Sequence, residues 1–142
     1  MTVRIEVSEE INRPISDVFT FYADNHVRNH PRWDPNIELR PDSDNPLTVG
    51  SIIQRRNSRS GKPVDGTMKV VEFKRDEAFG VVIHDGPMEV PARATFRRIN
   101  PNVTKLTVTA EFPVDGSMEP MLQGAMQGSL TNIKQLMAQD DR

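Results

Sequence analysis

The sequence predicts an α+β fold, with a curved antiparallel sheet of about seven strands wrapped around a long C-terminal helix and two short helices after the first strand. Three observations carry this expectation. Residues 117–139 hold a long stretch of helical periodicity. From residue 51 to residue 112 the chain is a series of alternating stretches separated by short turns bearing Gly, Pro and Asn. Strands joined so briefly run antiparallel, because parallel neighbours need long crossovers.

Residues 2–10 alternate, with Val3, Ile5 and Val7 on one face and Arg4, Glu6 and Ser8 on the other, the pattern of a half-buried strand. Pro14 then opens a helix at an early position that tolerates a missing N–H, with Asn12 as a candidate cap and Asp17 near the positive end of the dipole. Ile15, Val18, Phe19 and Tyr22 form its apolar side, and it ends near Asp24. Residues 25–32 form a short second helix stopped by Pro31, followed by Trp33 and an extended piece at 36–40. Residues 41–50 are loop by composition. Their Asp42, Asp44 and Asn45 lack the placed glycine and closing glutamate of a calcium loop.

Strands follow at 51–58, 67–74, 78–84, 90–99 and 105–112, with turns at 60–63, near Asp76, at 85–87 and at 100–102. In the fourth of these, Val90, Ala92, Ala94 and Phe96 share a face; in the fifth, Leu106, Val108, Ala110 and Phe112 do.

Ser117 is the expected N-cap of the terminal helix, and Pro120 falls in its first turn. Met118, Met121, Leu122, Ala125, Met126, Leu130, Ile133, Leu136 and Met137 recur at steps of three and four, opposite Gln123, Gln127, Thr131 and Lys134. This apolar arc is wider than the usual stripe of about 100°. Four methionines on it suit a large, adaptable surface, and the expectation is the wall of a ligand cavity. Ser129 lies near the middle of the arc, where its hydroxyl either back-bonds to the preceding turn or meets a ligand. Gly124 and Gly128 are read as a close approach of the helix to neighbouring backbone.

A chain of 142 residues fits one domain, 1–142. The net charge of −2 points away from nucleic acid and anionic membrane surfaces as partners. Cysteine is absent, which excludes disulfides, thiolate catalysis and cysteine-ligated metals. With no apolar signal core and no run of membrane-spanning length, the expectation is a cytoplasmic protein without membrane insertion, a monomer or homodimer. The glycosylation triplet Asn102-Val103-Thr104 is then a chance match.

Four passages carry a family likeness. They are Ile11-Asn12-Arg13-Pro14-Ile15-Ser16-Asp17-Val18-Phe19, Trp33-Asp34-Pro35-Asn36-Ile37, Thr104-Lys105-Leu106, and the terminal helix with Ser129-Leu130-Thr131-Asn132-Ile133-Lys134. Together they resemble the START-like helix-grip superfamily, and within it the polyketide cyclase/dehydrase and lipid-transport proteins (SRPBCC). The resemblance implies an elongated apolar cavity between sheet and last helix, holding a lipid, polyketide or other apolar or aromatic small molecule. Some members are aromatase/cyclases or dehydrases, and the chaperone-activator domains of this fold are protein-interaction modules. No cofactor and no metal is expected.

Ligand contacts are expected from Tyr22, Trp33, His84, Phe96, Met118, Met121, Leu122, Ala125, Met126, Ser129 and Ile133. Trp33 serves either as a core plug or as a lining residue. Cyclisation or dehydration needs a proton donor and acceptor in a dry pocket, for which Tyr22, Asp34, Glu89 and Arg93 are candidates beside His84. The alternation of residues 90–96 places Arg93 on the outer face; a one-residue slip would bring Glu89, Arg93 and Thr95 inside. His84 is read as an exposed strand-end histidine or a gate at the pocket mouth. His26 and His30 have a zinc-compatible spacing, but the Glu of the metalloprotease pattern is missing. The basic cluster Arg55, Arg56, Arg59 and Lys62 is read as a solvated strand-and-turn surface.

Overall fold

Seven antiparallel strands form one sheet in the order β1-β7-β6-β5-β4-β3-β2. The computed structural model describes residues 2–139; residue 1 and residues 140–142, the ends of the expected 1–142 domain, lie outside the described residues. The strands are β1 (Val3–Ile11), β2 (Ile37–Pro41), β3 (Ile52–Asn57), β4 (Val64–Lys74), β5 (Ala78–Asp85), β6 (Met88–Asn100) and β7 (Val103–Phe112). Between β1 and β2 run α1 (Ile15–Phe19), one π-helical turn (Thr20–Asp24) and α2 (His26–Trp33). A 3₁₀ turn (Gly116–Met118) leads into α3 (Glu119–Gln139). Irregularities between Val70 and Glu72 and between Arg98 and Asn100 shift the register, and such bulges bend a sheet. This is the curved sheet and long terminal helix of a helix-grip fold.

The period-two patterns place the core. Val3, Ile5 and Val7 are buried on β1, as are Val90, Ala94 and Phe96 on β6. Phe19 meets the rings of Phe96 and Phe73 edge-on at 5.0 and 5.4 Å, the favoured geometry for aromatic quadrupoles. Thr104, wholly buried, donates its hydroxyl to the Arg13 carbonyl at 2.9 Å, tying β7 to the segment between β1 and α1. Among the described residues no helix is long and apolar enough to cross a membrane.

The apolar face of α3 divides into two halves. Leu130, Ile133 and Met137 are buried, and Asn132 Nδ2 donates to the Trp33 carbonyl at 3.0 Å. Toward the N-terminus Met121 is 58% exposed, because the helix there spans the open side of the sheet. Ile133→Ala should therefore cost about 2–5 kcal/mol, against about 1 kcal/mol or less for Met121→Ala, in urea unfolding. Equal losses would mean that the N-terminal half is packed like the rest.

Several local expectations are corrected. Asp115, not Ser117, caps the last helical segment: its carboxylate accepts the Ser117 N–H at 2.8 Å. Asn12 does not cap α1, where Pro14 occupies the cap position and no side chain bonds. Pro31 does not stop α2, which continues to Trp33. A Cβ added at Gly124 or Gly128 would meet nothing within 4 Å, so neither glycine marks a close backbone approach. Asp85 belongs to β5 and not to the following turn, where Gly86 takes the positive φ of 59°.

Candidate functional site

Between the concave face of the sheet and α3 lies a cavity of about 550 Å³. Its existence follows from side-chain size. The inward positions at mid-sheet are Ala92, Ala94 and Ala110, and the helix above offers Ala125 and Ser129. Methyl and hydroxymethyl groups cannot fill the gap that a packed core would fill with Leu or Phe. Met118, Met121 and Leu122 border the same space near the start of α3, with Met126 and Ile133 farther along.

One end of the cavity is polar. The sheet row Arg55–Gly66–Asp85 crosses β3, β4 and β5 there. Arg55 spans the missing side chain of Gly66 and grips Asp85 with Nε at 2.8 Å and Nη2 at 3.2 Å. Both side chains are buried, 6% and 7% exposed. Asn57 adds a third donor to Asp85 at 3.0 Å. Burial pushes the Asp85 carboxyl up, but the hydrogen bonds from Arg55 and Asn57 outweigh it and hold the carboxyl below its usual range. Arg55 Nη1 is buried with no hydrogen-bond partner among the described residues. Asp34, at the end of α2, is held by Arg59.

Facing this row, α2 presents two imidazoles. Trp33, 3% exposed, lies stacked between Tyr22 at 5.0 Å and His30 at 5.1 Å. His26 Nδ1 lies 2.8 Å from the Tyr22 carbonyl, and His26 Nε2 lies 2.8 Å from His30 Nδ1. Burial lowers the His26 pKa to about 4, with Arg55 adding to the effect against the Tyr22 hydrogen bond. His30 is pushed well below its ordinary value by burial, then by His26, Arg55 and Arg59. Both rings are neutral at pH 7. A histidine whose folded pKa lies below its unfolded value of 6.5 takes up its proton more readily when unfolded. Its stabilising contribution is complete above about pH 6.5 and is lost as pH falls toward 4. Thermal unfolding should show a falling Tm across that interval; a flat profile would mean that the rings are solvated.

With this geometry in view, comparison with family models finds a match to "Polyketide cyclase / dehydrase and lipid transport" over residues 2–138. The chain belongs to that family. Among solved structures, Ara h 8.0201 is similar at TM-score 0.77 and 13% identity, covering 99% of this chain and 100% of that one. Norcoclaurine synthase from Thalictrum flavum, in complex with dopamine and hydroxybenzaldehyde, is similar at TM-score 0.73 and 14% identity, over 100% and 90% of the two chains. Protein MLL2253 from Mesorhizobium loti is similar at TM-score 0.72 and 14% identity, over 99% and 100%. Identities this low carry the Bet v1-like fold alone. A comparison with curated protein sequences finds no match.

In this polyketide cyclase/dehydrase-family chain, Tyr22, Trp33, Asp34 and the helix residues Met118, Met121, Leu122, Ala125, Met126, Ser129 and Ile133 all border the cavity. Phe96 stands behind the wall, edge-on to Tyr22 at 5.8 Å. His84 lies on the opposite face, where its Nε2 meets Glu89 at 3.1 Å on the neighbouring strand. Arg93 runs along the wall between Ala92 and Ala94, but its guanidinium is held outside by Glu72 at 2.7 Å.

The reading of the basic cluster as solvated surface is corrected in part. Arg56 is exposed and paired with Asp65, whereas Arg55 is buried and Arg59 borders the cavity. The missed signal was period two: Ile53, Arg55 and Asn57 share one face of β3, and Val81, Ile83 and Asp85 share one face of β5.

Proposed function

We propose that this protein binds an apolar or aromatic small molecule in the cavity between the curved sheet and α3. The observation that carries the reading is the cavity of about 550 Å³, within the usual range for ligand sites, walled mainly by aliphatic and thioether groups with polar groups gathered at one end. Exposed Met118 and Met121, just before and at the start of α3, and half-buried Met126 farther along suit a wall that adapts to its occupant. An aromatase, cyclase or dehydrase reading is less supported by the candidate acid–base groups. Glu89 and the Arg93 guanidinium are outside, Asp34 is engaged by Arg59, and burial pushes the Tyr22 hydroxyl pKa up, so it stays protonated.

Native mass spectrometry of protein isolated from its own host should show a co-purifying apolar compound. The neutral dye N-phenylnaphthylamine should brighten on binding, with affinity altered by Met121→Ala and Met126→Ala. Ligand-free protein that leaves the dye dark would overturn the reading.

A further inference from the structure

The hydrogen bonds at the polar end of the cavity form a directed chain. A backbone carbonyl only accepts, so the 2.8 Å contact with Tyr22 requires the proton on His26 Nδ1. In the neutral ring His26 Nε2 is then a lone pair, and the 2.8 Å contact with His30 requires a proton on His30 Nδ1. The remaining nitrogen, His30 Nε2, carries an unprotonated lone pair. No described side chain donates to it. His30 Nδ1 points toward buried His26, so Nε2, across the ring, points away from it, and His30 borders the cavity. Beyond His26, the groups that act on His30 are the guanidinium groups of Arg55 and Arg59, which are paired with Asp85 and Asp34, and Arg55 Nη1 is buried with no hydrogen-bond partner among the described residues. An unprotonated acceptor beside stacked aromatic rings has a definite chemical complement.

We propose that His30 Nε2 receives the hydroxyl proton of a weakly acidic ligand, a phenol or enol, in a hydrogen bond that anchors the ligand at the polar end of the cavity. The inference rests on the reading of the cavity as a ligand site. A phenol or enol is favoured over an alkanol, because its more acidic hydroxyl is the stronger donor to a neutral imidazole lone pair. Residues of the apolar wall then hold the carbon skeleton, while Trp33 fixes the imidazole by stacking against it.

The test compares three probes of one size by calorimetry: a naphthol, its methyl ether, and methylnaphthalene, all substituted at the same ring position. The naphthol should bind about tenfold more tightly than methylnaphthalene, with the ether close to the hydrocarbon, since only the naphthol donates. His30→Phe should retain the hydrocarbon and lose the naphthol preference. Because that variant also removes a partner of His26, nitrogen NMR of the unaltered protein gives a second readout. His30 Nε2 should resonate as an unprotonated nitrogen at pH 7 and shift on adding naphthol but not methylnaphthalene.

Equal affinities for naphthol and hydrocarbon would overturn the inference while leaving the cavity a ligand site. An ether as tight as the naphthol would overturn it in favour of a guanidinium donor. A proton found on His30 Nε2 would break the chain at its end. Failure of all three probes to bind would remove the ligand-site reading itself, and the inference with it.

Discussion

Replacing Asp85 with Ala should destabilise the protein by about 3–5 kcal/mol, the cost of leaving a buried guanidinium without its carboxylate. Arg55 has no water-facing alternative, since its side chain is 6% exposed and two of its nitrogens are committed to Asp85. The penalty belongs to the orphaned charge. The double change Arg55→Met with Asp85→Leu should therefore lie near neutrality or gain stability, because well-packed apolar pairs often replace buried ion pairs without loss. Urea unfolding of both variants separates the cases, and a loss under about 1 kcal/mol for Asp85→Ala would show that the pair is hydrated.

The same pair sets a distinct acid limit. The folded carboxyl is held below its ordinary value of 3.8, so its contribution is full above that value. It is lost only as pH falls through the depressed folded pKa. Acid unfolding should thus have two stages, the histidine stage between 6.5 and about 4 and a carboxylate stage below it to which Asp85 contributes with Asp65, Glu72 and Asp115. Asp85→Asn should lower stability at neutral pH by leaving Arg55 without its carboxylate, and should flatten the dependence below about pH 4.

Gly66→Ala should cost about 3 kcal/mol, at the upper end of overpacking effects, and should also loosen the Arg55–Asp85 pair. A Cβ at Gly66 would fall 1.6 Å from the His84 carbonyl oxygen and 3.2 Å from the Asp85 Cα. Those are backbone atoms of the paired strand, so no rotamer change relieves the clash; β4 and β5 must separate there. Since Gly66 lies between Arg55 and Asp85 in the row, the separation also alters the reach of one to the other. Equilibrium unfolding together with dye binding tests both effects. Wild-type stability and affinity in Gly66→Ala would mean that the strands accommodate a methyl group freely.

The parts of this protein legible in its sequence are those governed by short-range periodicity. Val3, Ile5 and Val7, Val90 through Phe96, and Leu106 through Phe112 announce strand faces because a pleat alternates every second residue. The arc from Met118 to Met137 announces a helix with one apolar side. Turn residues then fix antiparallel neighbours, and the fold follows almost entirely. The two-way split of that helix face was not legible. A methionine has the same pattern whether Leu130-like burial or an open cavity lies opposite, and only the small side chains of distant strands distinguish them.

The chemistry of the polar end lay further from view. Arg55 and Asp85 are thirty residues apart, and the row that joins them depends on the register of β3 on β4 and of β4 on β5. His26 and His30 share a helical face by spacing alone. That spacing does not say whether the rings hold a metal, meet solvent, or pass a hydrogen bond from one to the next. The sequence by itself determined the elements, their order and the apolar face of α3, because hydrophobic periodicity is written residue by residue. The tertiary structure decided that this face is half core and half cavity wall, and that Arg55 is buried beside Asp85. Both depend on which side chains from separate strands come to lie opposite one another.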